Sequence, residues 1–137
     1  MRFMLLMIPH GYETAAAGTQ PDAEAVTKMM LYNEKLQAAG VLLALDGLHP
    51  PAMGARVTFI GGTPQVIEAP FPGVNEVLGG YWMIEVASRD EAIEWARQCP
   101  AGDNEVIEIR QVQAFEDFPE DVQHAAAGFK DRQTRAD

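Results

Sequence analysis

Cysteine is almost missing from this chain of 137 residues: Cys99 stands alone, beside only three histidines. A single thiol excludes an internal disulfide framework, and so few histidines argue against a structural zinc site. Long apolar runs are also missing. The stretch from Phe3 to Ile8 is broken by Pro9, whereas a membrane-spanning helix needs about 20 apolar residues. It is likewise shorter than the apolar segment of a typical secretory signal, so a cytoplasmic protein is expected.

Basic residues are scarce as well, with 10 Lys and Arg against 20 Asp and Glu and a formal net charge of −10. Phosphate backbones and anionic membrane surfaces demand the opposite sign, which argues against both as partners. The deficit is uneven. Residues 1–60 carry five acids and four bases, residues 61–121 thirteen and three, and residues 122–137 two and three. The 61–121 stretch reads first as a solvated acidic face. Its second reading is a docking surface ending in Glu116, Asp117, Glu120 and Asp121. No nucleophile elbow, Walker loop or dinucleotide fingerprint occurs, so no cofactor is expected. No ligand spacing supports a metal.

What is present is 47% hydrophobic residues in a length that fits one domain. Arg2 to Ile8 reads as a strand apolar on both faces. Thr19-Gln20-Pro21-Asp22 announces a helix from about Pro21 to Ala39, stopped by Gly40, with Val26, Met29, Met30 and Leu36 on its apolar stripe. Val41 to Leu48 reads as a second buried strand interrupted by Asp46-Gly47. Arg56–Ile60 and Gln65–Glu68 form a hairpin. After a Pro- and Gly-containing loop over 69–79, Gly80 to Val86 is a strand with Trp82, Ile84 and Val86 on one face. Ser88-Arg89-Asp90-Glu91 is a capping box opening a second helix that buries Ala92, Trp95, Ala96 and Cys99. Val106 to Arg110 is a last strand, and Pro119 to Ala127 a short terminal helix.

The fold class is therefore α+β: a ferredoxin-like split βαβ with an inserted β-hairpin and an antiparallel sheet, occupying residues 1–118 before a tail over 119–137. Two helices cover one face of such a sheet, yet its strands are apolar on both. A second copy of the chain is the simplest cover, giving a closed, barrel-like homodimer through the sheet face. The alternative is a tail folded back over that face.

In this topology the first and second strands end at one edge of the sheet, where the Gly80 strand begins. That rim gathers His10, Asp46, His49, the 69–79 loop with Phe71 and Glu76, and Tyr81. Titratable groups above an apolar sheet suit a small-molecule pocket. His10 or His49 is the expected general base, with Asp46 orienting the ring. Each also reads as an ordinary turn residue. Asn33 falls on the helix stripe, where its amide must find partners, and Tyr32 at the stripe's edge offers a hydroxyl to a pocket.

Several segments together resemble the YCII-related, DGPF-domain proteins: Met1-Arg2-Phe3-Met4-Leu5, Tyr32-Asn33-Glu34-Lys35-Leu36, Ala39 to Ala44, Gly47-Leu48-His49-Pro50, Gly80-Tyr81-Trp82 and Glu91 to Ala96. The resemblance spans roughly residues 1–118 and implies a dimeric α+β barrel. The naming Asp-Gly-Pro-Phe segment appears here as Glu68-Ala69-Pro70-Phe71. In shorter relatives a first-helix His paired with an Asp is the proposed active site. Alignment on Gly40 puts Met29 at that His position, so the dyad is not carried over. The resemblance also implies an association of DGPF-type members with extracytoplasmic-function sigma factors. The expected function is thus a homodimer binding a small molecule at the rim, where cofactor-free acid–base chemistry is open to it. The alternative is a non-catalytic regulatory or stress-related interaction module.

Overall fold

A computed structural model of the chain describes residues 1–128, so the last nine positions of the expected tail lie outside the described residues. The elements run β1 (Arg2–Ile8), α1 (Ala23–Ala38), β2 (Leu42–Gly47), β3 (Arg56–Ile60), β4 (Thr63–Ile67), β5 (Gly80–Glu85), α2 (Arg89–Arg97), β6 (Val106–Gln111) and α3 (Glu120–Ala125). The architecture is α+β. Four strands form one antiparallel sheet in the order β2-β5-β1-β6, and β3 and β4 form a separate hairpin. The sheet of one chain is open rather than closed into a barrel.

Local chemistry explains the helix ends. The Asp22 carboxylate accepts the Ala25 N–H at 3.1 Å, so α1 starts two residues later than Thr19-Gln20-Pro21 suggests. The Thr19 hydroxyl instead donates to the Ala16 carbonyl. At the other end, Gly40 takes φ +72°, a left-handed conformation that glycine adopts without steric cost. At α2 only half of the expected box forms: Ser88 Oγ accepts the Glu91 N–H at 3.2 Å, while the Glu91 carboxylate reaches past the cap residue to accept the Ala87 N–H at 3.0 Å. In the hairpin, Gly61 and Gly62 both have positive φ, as a two-residue turn matched to strand twist requires.

Strand alternation divides the sheet into two faces. Phe3, Leu5 and Met7 of β1 and Trp82 and Ile84 of β5 point toward the helices, where they join Tyr32, Leu36, Val41, Val86 and Ala92 in the core. Trp95, Ala96, Cys99, Ile107 and Ile109 pack at its margin. On the opposite face Met4, Leu6, Ile8, Tyr81 and Met83 are only half-buried.

Two expectations need correction. Val26 and Met30 are exposed and Tyr32 is buried, because α1 turns its Met29, Tyr32 and Leu36 side toward the sheet. Periodicity alone accommodates both stripes, and the large ring wins the interior. The second correction concerns β2, whose Leu43 and Leu45 are exposed. It is an edge strand with a register shift between Leu42 and Ala44, so neighbours cover it less than they cover β1 and β5.

Leu36 and Ile84 are both 0% exposed, on opposite sides of the helix–sheet interface. Truncating either to alanine is expected to cost about 2–5 kcal/mol through lost burial and a residual cavity. Urea denaturation measures this, and a loss near zero for either variant would contradict the packing described.

Candidate functional site

The rim is built where β1 and β2 end and β5 begins. Met7 and Gly47 both pair with Gly80. The Gly79 N–H donates to the Met7 carbonyl at 2.8 Å, and the Leu48 N–H donates to the Gly79 carbonyl at 2.9 Å. Backbones approach so closely that a Cβ on Gly80 would lie 2.8 Å from the Asp46 carbonyl oxygen, and one on Gly79 would collide with the Pro9 ring. The Tyr12 hydroxyl donates to the Leu48 carbonyl at 2.6 Å, anchoring the loop after β1 to the same edge. Partial burial raises the Tyr12 phenol above its ordinary value.

Three clefts open from this edge. The largest, about 620 Å³, lies between the end of β1, the His49-Pro50-Pro51 turn, the base of the hairpin and the 71–78 loop. Its walls include Ile8, Leu48, Met53 and Leu78, with His49, Arg56, Phe71 and Glu76 as its charged, titratable or aromatic groups. The Arg56 guanidinium carbon sits 4.5 Å from the centroid of the Phe71 ring, within cation–π range. A second cleft of about 340 Å³ lies against Tyr12, Thr19, Gln20 and Pro21 and shares His49 with the first. The third, about 170 Å³, lies under α1 and is lined by Met7, Met29, Asn33, Leu45, Asp46, Tyr81 and Trp82.

The candidate residues are therefore distributed rather than assembled into one constellation. His49, Phe71 and Glu76 meet in the large cleft. Asn33, Asp46 and Tyr81 line the small one. The Tyr81 hydroxyl donates to Asp46 Oδ2 at 2.9 Å. That bond to Asp46, with the negative charge it carries, raises the Tyr81 phenol. The Asp46 carboxylate is thus engaged by a tyrosine, and among the described residues it bonds neither histidine. His10 is exposed in the turn after β1 and lines none of the three clefts.

Asn33 and Tyr32 serve the interior. Asn33 Oδ1 accepts the Trp82 indole N–H at 2.7 Å, which resolves the amide's need for a partner on a packed helix face. Tyr32 lies edge-on to Trp82 with ring centroids 5.6 Å apart, and its hydroxyl donates to the Trp95 carbonyl at 2.7 Å. Burial, with the Cys99 thiolate charge as a lesser cause, raises its phenol strongly. Met29 stands beside Cys99, with the sulfurs 4.0 Å apart. Burial, then the Glu105 carboxylate, raises the Cys99 thiol to about 11.

Arg56 was not among the candidates, although one signal was available: it is the lone Lys or Arg between Lys35 and Arg89. Ile8, Met53 and Leu78 carried no such signal, because only the folded chain brings them together. Of the acids considered for partner docking, Asp117 accepts the Ala114 N–H at 2.7 Å, capping its own turn. No helix among the described residues is long and apolar enough to cross a membrane.

Comparison with known proteins adds the following. A family model described as YCII-related domain matches residues 1–116. An uncharacterized protein of Rhizobium meliloti (strain 1021) is 30% identical over 84 residues, which is 61% of this chain and 68% of that protein.

Gly80→Ala is expected to destabilise the rim, because backbone rather than a flexible side chain opposes the new Cβ; a melting temperature equal to wild type would contradict this approach. Cys99 has a testable pH signature. Its pKa is raised from 9.0 to about 11, so its contribution to stability is present below pH 9 and lost as pH rises through 11. Relative to Cys99→Ala, the wild type is expected to lose stability across that window in denaturant titrations. Parallel pH curves for the two proteins would contradict the assignment.

Proposed function

This chain belongs to the YCII-related domain family, and from that premise we propose that it is a homodimeric small-molecule-binding protein whose ligand occupies the large rim cleft. One observation carries this reading: a cavity of about 620 Å³ within the range of about 300–1,000 Å³ that drug-sized ligands fill. Its walls are mostly apolar, with a few polar groups placed to orient a guest. General acid–base work in this cleft falls to His49 and Glu76, whose imidazole and carboxyl groups share one lining. His10 and Asp46 remain rim groups outside that lining, and the Asp46–Tyr81 pair orders the adjacent small cavity.

The proposed subunit is a ferredoxin-like split βαβ, supported by the strand order β2-β5-β1-β6 with antiparallel neighbours. The proposed assembly is a dimeric α+β barrel in the cytoplasm. Its support is the half-buried apolar face of Met4, Leu6, Ile8 and Met83 opposite the helices. A further uncharged surface lies on the hairpin, where Val57, Phe59 and Val66 share one side and are 53%, 74% and 66% exposed. A two-stranded hairpin alone is marginally stable in water, and apolar faces of this kind mark protein interfaces.

Sedimentation equilibrium is expected to give a mass close to twice the 15.0 kDa of one chain, reduced to the monomer value by Met83→Lys on the sheet face. A wild-type monomer at all concentrations would refute the assembly. For the cleft, the neutral dye phenylnaphthylamine is expected to fluoresce on binding, and Leu78→Trp, which fills the cavity, to weaken that binding about tenfold. Unchanged dye binding in a folded Leu78→Trp protein would remove the cleft as the site.

A further inference from the structure

The large cleft contains one permanent positive charge, Arg56, that no ion pair among the described residues engages. Arg56 opens β3 at the cleft wall, with its guanidinium over the Phe71 ring. Three ion pairs among the described residues engage Lys28, Arg97 and Arg110; Arg56 takes part in none of them. Acids are not lacking in its stretch of sequence, since Asp46, Glu68, Glu76 and Glu85 all lie between Lys35 and Arg89. Its guanidinium carbon lies 4.5 Å from the centroid of the Phe71 ring, a contact that leaves its N–H donors available. Guanidinium presents those donors as a planar fork matched to the two oxygens of a carboxylate.

We propose that the ligand of this cleft is a monocarboxylate with an apolar body, its carboxylate held by Arg56 and its body lying against Ile8, Leu48, Met53 and Leu78. This rests on the rim-cleft reading above and narrows it to a chemical class. The limit to one negative charge comes from Glu76, which shares the lining and would repel a second anionic group. The chain's net charge of −10 does not reverse the preference. Exposed charges farther away than about 8 Å are largely screened at physiological ionic strength, so the Arg56 and Glu76 side chains that line the cleft outweigh the distant acids.

Three probes of one shape separate the possibilities: phenylbutyrate, the neutral phenylbutyramide and the cationic phenylbutylamine, each titrated calorimetrically into the full chain. Phenylbutyrate is expected to bind about tenfold or more tightly than the amide, as a charge-assisted bidentate contact implies. Arg56→Met keeps the aliphatic stem and is expected to bring acid and amide to parity while amide binding is unchanged. Arg56→Gln repeats the test should the methionine variant misfold. Arg110→Met, at a base paired with Glu108, is expected to retain the full preference. Equal binding of acid and amide by the wild type would overturn the carboxylate inference while leaving the cleft reading in place. Tightest binding of the amine would overturn it in favour of Glu76. Failure of all three probes to bind would overturn both the inference and the cleft reading for ligands of this size.

Discussion

The indole of Trp82 is the group around which the subunit is organised. It is a large aromatic side chain buried on the central part of the sheet, and burying its single N–H without a partner would cost about 1–3 kcal/mol. Asn33 of α1 supplies the acceptor. Tyr32, one residue earlier, packs edge-on against the same ring and extends a hydroxyl to the Trp95 carbonyl in α2. One aromatic residue on β5 thus dictates the rotation of α1 and, through Tyr32, the placement of α2. The exposed Met30 follows from that choice, since a helix that turns Met29, Tyr32 and Leu36 toward the sheet carries it on the far side.

The same strand determines the rim. Trp82 is two residues from Gly80, and the close packing of Gly79-Gly80 against Pro9 and the Asp46 backbone draws the ends of β1 and β2 together. Loops leaving those ends have to diverge around this pinch, and the clefts are the space between them. His49 stands at the division, facing the hairpin side and the Tyr12 side. Asp46 pairs with Tyr81 across adjacent strands and meets its hydroxyl there, away from both histidines. The rim therefore separates groups that a linear reading places together.

Much of the subunit was legible from residues near one another in the chain. Apolar runs marked β1, β2 and β5 as strands, Ser88 and Glu91 marked the start of α2, and Gly61-Gly62-Thr63-Pro64 marked the hairpin connection, of which Thr63 and Pro64 belong to β4. Each depends on contacts spanning a few residues. Edge position is different: Val41 to Leu48 is as apolar as a central strand, and only the sheet order shows that Leu43 and Leu45 lie at its border. The site was partly legible. His49, Phe71 and Glu76 do line one cleft, but Arg56 was hidden because it reads as an ordinary strand residue until the loop carrying Phe71 is folded beneath it.

What the chain alone determined was an α+β protein of the YCII-related kind, strongly acidic, with its polar candidates near one sheet edge. The family resemblance rests on short segments of matching text, and the rest on composition, alternation and caps, all local in sequence. What only tertiary structure decided was which candidates meet. Asp46 reaches Tyr81 and Asn33 reaches Trp82 across separations of 35 and 49 residues. Such pairings depend on strand order, register and helix rotation together. Those quantities are set by how the whole core packs, because no short segment has enough contacts of its own to specify them.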